Sequence, residues 1–173
     1  MPEKLINGLE EVMSHHQFPW YWRPSTTYGI YEEGKNSKDH QFVHVIYHED
    51  KPYSHIFDMA VDVLKCFCTH TGKTIKNVDR IKANLTTPST LTEAELDDAI
   101  HVDMADEGYW TLLYYVSDSD GDTIMYDTDK QPVARSAPEK GKAILFPSHE
   151  WHRHTPPTDH KRRMVINFIM ELE

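Results

Sequence analysis

The chain has 173 residues, a length that suits one domain with a sizeable buried core. Its 28 acidic and 18 basic side chains give a formal net charge of −10, which disfavours a nucleic-acid duplex or an anionic membrane as a partner. We therefore expect a small-molecule, protein or peptide substrate. There is no signal-peptide pattern and no apolar run near 18 residues, which predicts a cytoplasmic protein. The sequence does not indicate an oligomeric state.

Two amphipathic helices are predicted in the first half of the chain. The first has apolar residues at helical spacing between Leu5 and Met13. The second has Ser54 as its cap, an apolar stripe from Ile56 to Phe67, and Gly72 at its end. The two cysteines, Cys66 and Cys68, lie two residues apart in this second helix and point in different directions. We expect them to be free thiols.

From about residue 78 the pattern changes to short β-rich runs separated by turn signals. Helices followed by strands predict an α+β fold that is mainly β, with a jelly-roll or cupin-like core (a double-stranded β-helix) and helices that buttress one sheet. We expect one domain over 1–173, in which 1–75 gives mainly helical support and aromatic cover and 76–173 forms the core. The predicted strands are 78–86, 109–116, 123–127, 132–136, 142–147 and 162–171.

Two segments interrupt this pattern. Residues 17–31 contain six aromatic side chains, including Tyr28 and Tyr31, together with two prolines. They can cover the core or form a wall of a substrate cleft. Residues 87–100 contain Thr92 and Glu95, which fit a capping box for one helical turn. This segment is either a lid or a solvated connection.

The spacing His101-Val102-Asp103 places an imidazole and a carboxylate on the same face of a strand. One further histidine would complete a 2-His-1-carboxylate site, the usual ligand set of non-heme Fe(II) oxygenases. The candidates are His149, His152 and His154. In an extended chain, His152 and His154 share a face, so the spacing does not choose between them.

The order of motifs resembles the 2-oxoglutarate and Fe(II)-dependent dioxygenases, in particular the prolyl 4-hydroxylase-like branch and its short stand-alone members from bacteria and phages. The resemblance covers residues 78–171 and implies a cytoplasmic enzyme, in the host cytoplasm if the origin is a phage. It implies hydroxylation of an unactivated C–H bond with release of succinate and CO2. The motifs are His101-Val102-Asp103, Thr111 to Val116, Gly121-Asp122-Thr123, Leu145 to Ser148 with His152 four residues later, and Arg163 to Phe168.

The resemblance also implies the roles of individual residues. The catalytic metal ligands would be His101, Asp103 and His152. Arg163 would anchor the far carboxylate of 2-oxoglutarate, with Arg162 as its rival. Three further residues would complete the co-substrate pocket: Asn167 as a hydrogen-bond donor, Tyr115 through its hydroxyl, and Leu113 as an apolar wall. The implied cofactors are Fe(II), 2-oxoglutarate and O2, with ascorbate as a candidate reductant.

The substrate is not specified by these motifs. A prolyl or other peptide side chain is what the resemblance implies. Arg80, Lys82 and Asn84 alternate along the strand 78–86, which indicates either a substrate-facing surface or a solvated sheet face. Two other classes stay open: a cupin-like metalloprotein that does not use 2-oxoglutarate, and a catalytically silent binding or sensor domain with the same fold.

Overall fold

The computed structural model describes residues 1–27 and 37–173. This part of the chain contains two α-helices, one 3₁₀ helix and ten strands. The helices are α1 (Glu3–Ser14), α2 (Phe57–Thr71) and the 3₁₀ helix Glu93–Ala99. The strands are β1 (Tyr21–Arg23), β2 (Gln41–His48), β3 (Lys51–Pro52), β4 (Ile75–Thr86), β5 (Tyr109–Tyr115), β6 (Thr123–Tyr126), β7 (Pro132–Ser136), β8 (Ala143–Pro147), β9 (His152–His154) and β10 (Arg163–Leu172).

The strands form two antiparallel sheets. The large sheet has the order β1-β2-β4-β10-β5-β8, with β3 paired to β2, and the small sheet has the order β7-β6-β9. An isolated bridge between His101 and His152 extends the small sheet. Side chains from both sheets line a common cavity. The predicted jelly-roll core with N-terminal helices is thus confirmed.

Both helices pack on the outer face of the large sheet and leave the inner face to the cavity. Alternation along β10 places Met164, Ile166 and Phe168 in the helix-covered core, together with Leu9 of α1 and Leu64 of α2. The helix α2 ends at Gly72, as predicted, with φ of 70°. Ser54 is not its N-cap, which is Ile56, although the Ser54 hydroxyl accepts a 3.2 Å hydrogen bond from the Ile56 N–H. No helix in the described ranges is long and apolar enough to cross a membrane.

Residues 1–75 contain three strands of the large sheet in addition to the two predicted helices. The strand β2 pairs with β4 along most of its length, and a β-bulge interrupts the register between Val45 and Tyr47. The short strand β1 adds to the other edge of β2. The N-terminal part of the chain therefore extends the sheet as well as covering it.

The aromatic segment divides into two parts. Phe18 is buried, and the Trp20 indole donates to the Met13 carbonyl at 3.2 Å, so this part covers the core. Tyr21 and Trp22 are 62% and 60% exposed, and both line a surface cleft. Tyr28 and Tyr31 lie outside the described residues.

The capping box of the segment 87–100 is confirmed. The Glu95 carboxylate accepts the Thr92 N–H at 3.1 Å, and the 3₁₀ helix that follows buries Leu96 and Ala99. The segment is therefore anchored to the core directly before His101. Cys66 and Cys68 are free thiols, as predicted.

Candidate metal centre

The small sheet brings the distant residues His101 and His152 together. The His101 N–H donates to the His152 carbonyl at 2.9 Å, and the His152 N–H donates to the His101 carbonyl at 2.8 Å. The Asp103 N–H donates to the carbonyl of Ser148 at 2.9 Å, and Ser148 lies in the turn after β8. One ligand atom from each of His101, Asp103 and His152 lies within 4.8 Å of the others.

Both histidines are oriented by backbone carbonyls. The His101 Nδ1 lies 2.8 Å from the Ala99 carbonyl, and the His152 Nδ1 lies 3.0 Å from the Glu150 carbonyl. Because a carbonyl only accepts, each Nδ1 carries the proton when the ring is neutral. Each Nε2 then has a free lone pair, the form of imidazole that binds metals.

The Asp103 carboxylate is fixed by two donors on the large sheet. Its Oδ2 accepts hydrogen bonds from the Thr111 hydroxyl and the Asn167 amide nitrogen, both at 2.9 Å. The His152 Nε2 lies 3.5 Å from the same Oδ2, so the carboxylate faces the imidazole atom that would bind a metal. The Thr111 hydroxyl also lies 2.9 Å from the Ser148 hydroxyl, which links this site to the turn that holds the Asp103 backbone.

Burial and charge set the protonation of the site. Burial, followed by the neighbouring His152, lowers the pKa of His101 to about 3. Burial alone would raise the pKa of Asp103, but His152, His101 and the Asn167 hydrogen bond hold it below its usual value. A neutral His101 and an ionised Asp103 at neutral pH are the states that a metal requires.

The other two candidate histidines do not join this group of ligand atoms. The His154 Nε2 lies 2.9 Å from the buried Asp39 carboxylate, although His154 borders the same cavity. His149 is exposed in the turn after β8. Of the three histidines considered, the structure brings His152 to His101 and Asp103.

A cavity of about 50 Å³ extends from these residues between the two sheets. Arg163 lines it and is only 4% exposed. Its Nε donates to the Gly121 carbonyl and its Nη2 to the Thr123 hydroxyl, both at 2.8 Å. Burial lowers the pKa of Arg163 to about 10, so the group is cationic at neutral pH. Within the described ranges, no carboxylate forms an ion pair with it.

The neighbouring Arg162 points to the opposite face of β10. Its Nη2 donates to the Ser14 hydroxyl of α1 at 2.7 Å. Alternation along the strand therefore separates the two arginines, one beside the cavity and one beside the helices.

Three residues predicted for the co-substrate pocket lie close to Arg163 or Asp103. Leu113 lines the cavity. The Tyr115 hydroxyl donates to the Thr123 hydroxyl at 2.8 Å, and the Arg163 guanidinium carbon is 5.7 Å from the Tyr115 ring centroid. Tyr115 is not among the residues that line the cavity, so its direct contact with 2-oxoglutarate stays a prediction.

Asn167 is predicted to donate a hydrogen bond to 2-oxoglutarate, and that contact stays a prediction. Its amide nitrogen donates to Asp103, and its Oδ1 is buried without a hydrogen-bond partner among the described residues. Thr111, Thr123 and Gly121 were not predicted as individual site residues. Their motifs belong to the resemblance, but only the structure shows that Thr111 orients Asp103 and that Gly121 and Thr123 orient Arg163.

Residues 93–171 match the family model described as the 2OG-Fe(II) oxygenase superfamily, a range that contains His101, Asp103, His152 and Arg163. This part of the chain thus matches the predicted superfamily, and the match indicates the predicted enzyme class, a 2-oxoglutarate-dependent oxygenase. No curated protein matches the chain in sequence.

Solved structures of other 2OG-Fe(II) oxygenases share the fold at low identity. An oxidoreductase of this family from Burkholderia pseudomallei is 12% identical, with a TM-score of 0.60 over 96% of this chain and 76% of the other. A prolyl-4-hydroxylase from Pseudomonas putida is 11% identical, with a TM-score of 0.51 over 96% and 99%. An alpha-ketoglutarate-dependent carbocyclase from nogalamycin biosynthesis is 12% identical, with a TM-score of 0.60 over 99% and 76%.

The residues present fit the metal and co-substrate that the superfamily uses. Two imidazoles with free Nε2 atoms and one carboxylate form a donor set suited to Fe(II). Arg163 adds a buried cation without a carboxylate partner among the described residues, in the same cavity. Three protein ligands would leave coordination positions open for 2-oxoglutarate and O2.

Proposed function

We propose that the chain is an Fe(II)- and 2-oxoglutarate-dependent dioxygenase that hydroxylates an unactivated C–H bond of its substrate and releases succinate and CO2. The observation that carries the proposal is the grouping of His101, Asp103 and His152, whose ligand atoms lie within 4.8 Å of one another. Arg163 lines the same cavity and supplies a charge for the co-substrate.

In this proposal His101 and His152 would hold the metal through Nε2, and Asp103 would hold it through its carboxylate. Iron, together with 2-oxoglutarate and O2, supplies the oxidising power for hydroxylation. Thr111 and Asn167 fix this carboxylate, so Asp103 does not have to reorient when the metal binds. The protein thus contributes a preorganised ligand set.

Arg163 anchors the far carboxylate of 2-oxoglutarate through the N–H groups that Gly121 and Thr123 do not use. The ring of Tyr115 and the hydroxyl of Thr123 hold the guanidinium in place. Leu113 and Val165 give the cavity an apolar wall that excludes water. A cupin-like protein without 2-oxoglutarate would give this buried cation no ligand to bind.

A prolyl or other peptide side chain is the proposed substrate class. The support is the fold shared with the Pseudomonas putida prolyl-4-hydroxylase, which the chain covers almost completely. The carbocyclase shares the fold equally well, so the fold alone does not select hydroxylation. Ascorbate is the proposed reductant, on the basis of the resemblance alone.

Anaerobic titration of the metal-free protein with Fe(II) and then 2-oxoglutarate tests the proposal. The chelate should produce a weak visible charge-transfer band. Replacing Arg163 with Met removes charge-assisted hydrogen bonds, so 2-oxoglutarate should bind roughly 10- to 100-fold more weakly. Arg162→Met is the matched control and should behave like the wild type, because Arg162 faces α1. Iron binding without a band, or equal effects of the two variants, would contradict the proposal.

A further inference from the structure

The inner face of the large sheet carries cations beyond the metal centre. Arg80 and Lys82 lie on β4 and alternate with residues of the helix-covered core, such as Ile81 and Ala83. Arg23 lies on β1, at the edge of the same sheet. These three side chains form what we call the cationic face.

The strand register places this face beside the metal ligands. Lys82 lies opposite Asn167, the residue whose amide binds Asp103. Arg80 lies opposite Ile169, and Ile169 lies opposite Thr111, the second residue that binds Asp103. Because neighbouring strands are about 4.8 Å apart, Lys82 is one strand spacing and Arg80 two spacings from the groups that hold the carboxylate ligand.

The cationic face has no anionic partner within the part of the chain that the structure describes. Neither Arg80, Lys82 nor Arg23 forms an ion pair there, although the chain as a whole has a net charge of −10. The Arg80 Nε and the Asn84 Oδ1 are buried without a hydrogen-bond partner among these residues. Arg80 and Lys82 are partly buried, whereas Arg23 is exposed. A partly buried cation without an ion-pair partner costs free energy, which an anionic ligand would offset.

A cleft opens beside this face. Its volume is about 700 Å³, and Arg23, Tyr21, Val43, Val45 and Tyr53 contribute to its lining, whereas Arg80 and Lys82 do not. Val45 lies directly opposite Lys82, and Val43 lies opposite Asn84, a residue of the metal-centre cavity. The cleft and the cavity therefore adjoin across the β2–β4 pair, on the same face of the sheet.

We propose that Arg80 and Lys82 bind a carboxylate of the substrate, so that the C–H bond to be oxidised lies roughly one to two strand spacings away, at the iron. This inference rests on the proposed function, because it assigns the substrate class of the same site. Arg23, further out in the cleft, strengthens the attraction for the anion. The net negative charge of the rest of the protein disfavours large polyanions, which leaves a free acid or an acidic peptide as the source of the carboxylate.

The electrostatics of Lys82 agree with this role. Burial, together with the charges of Arg80 and Arg23, lowers the pKa of Lys82 to about 8 against the opposing effect of Asp103. A carboxylate bound between Arg80 and Lys82 would favour the protonated amine.

NMR shift perturbation of ¹⁵N-labelled protein tests the inference. Zn(II) replaces Fe(II) to keep the sample diamagnetic, and saturating 2-oxoglutarate fills the Arg163 pocket. The probes are N-acetylproline and N-acetylprolinamide, a free acid and its amide, which differ only in the one carboxylate. A second pair, N-acetyl-prolyl-glutamyl amide and its glutaminyl analogue, presents the same charge difference in a peptide.

We expect the acid of at least one pair to shift backbone amides of β4 and β2 near Lys82, with at least tenfold tighter binding than its amide analogue. A response of the first pair alone indicates a free acid as the substrate, and a response of the second pair alone indicates a peptide. Lys82→Met and Arg80→Met should each weaken this binding at least tenfold, whereas Lys65→Met, an exposed lysine on α2 with the same charge change, should not. Arg80→Lys keeps the charge and should retain most of the binding.

Three results would overturn the inference: equal binding of acid and amide in both pairs, shifts spread over unrelated surface lysines, or unchanged binding by the Lys82→Met variant. Shifts of the β4 amides caused by 2-oxoglutarate itself and lost in Lys82→Met would also overturn it, because Lys82 would then belong to the co-substrate. Failure of the proposed function is seen separately, as the absence of 2-oxoglutarate shifts around Arg163.

Discussion

At the scale of single residues, the metal ligands are oriented before a metal binds. Backbone carbonyls fix both Nδ1 atoms, and Thr111 and Asn167 fix one oxygen of Asp103. The two Nε2 atoms and the oriented carboxylate are then the groups available for coordination. Such outer partners typically contribute 10- to 100-fold to metal affinity.

The low pKa of His101 predicts a pH dependence of stability in the metal-free protein. The folded state keeps this imidazole neutral down to about pH 3, whereas the unfolded chain protonates it near the ordinary value of 6.5. Its contribution is therefore present above pH 6.5 and is lost as the pH falls towards 3, by at most about 1.4 kcal/mol per pH unit. The depressed pKa of Asp103 acts in a lower window, since its contribution is lost only as the pH falls below about 3.8.

Urea unfolding between pH 7.5 and 4.5 measures this effect. The free energy of unfolding of the His101→Gln variant should decline less steeply towards acid than that of the wild type. His16→Gln, a change at an exposed histidine, should keep the wild-type slope. A wild-type minus His101→Gln difference that stays constant over this range would show that His101 is not held neutral by the fold.

Single residues also show where sequence patterns stop being informative. Alternation places His152 and His154 on the same face, and the two are told apart by Asp39, a distant residue that binds His154. Alternation did identify the shared face of Arg163 and Asn167. It could not show that the Asn167 amide binds Asp103, because that contact depends on how the segment that carries Asp103 lies against β10.

At the scale of structural elements, the connection from β5 to β6 orients Arg163. The carbonyl of Gly121 accepts the Arg163 Nε at 2.8 Å, and the glycine is packed tightly against the segment after β9. A Cβ atom at Gly121 would overlap the Thr155 carbonyl oxygen and lie 3.0 Å from the Arg163 Cδ. Position 121 therefore tolerates no side chain unless the neighbouring atoms shift.

Replacing Gly121 with Ala should lower the free energy of unfolding by about 1–3 kcal/mol, the usual cost of overpacking, and should weaken 2-oxoglutarate binding through the displaced Arg163. Chemical denaturation and the anaerobic titration measure the two effects. Gly108→Ala is the matched control, since a Cβ there meets nothing within 4 Å. Equal behaviour of the two variants would refute the assigned role of this connection.

Local patterns predicted both helices and the strands from β4 onwards except β9, because their alternation and turn signals are contained in short windows. The strand β2 was missed for a physical reason. Both of its faces are covered in part, by the helices on one side and the cleft on the other, so Phe42, Val43, Val45 and Ile46 do not alternate with polar residues. The bulge between Val45 and Tyr47 also interrupts the alternation of side chains along β2.

At the scale of the whole molecule, the two faces of the large sheet have different roles, since one packs in the hydrophobic core and the other faces the cavity. The outer face of the sheet packs on α1 and α2, and its inner face lines the cavity beside the metal centre and carries Arg163 and the cationic face. The order of motifs along the chain predicted this architecture and the superfamily. The substrate could not be predicted, since its cleft is assembled from β1, β2 and β4, which meet only in the folded sheet.

The most direct test of the central claim is 2-oxoglutarate-dependent succinate formation under oxygen with Fe(II), because slow uncoupled turnover requires no knowledge of the substrate. The wild type should form succinate and CO2 in equal amounts. Asp103→Ala should reduce the rate to background while Tm stays within a few degrees of the wild-type value, because the variant loses a metal ligand and keeps the core. Succinate formation by a folded Asp103→Ala variant at a rate near that of the wild type would contradict the account.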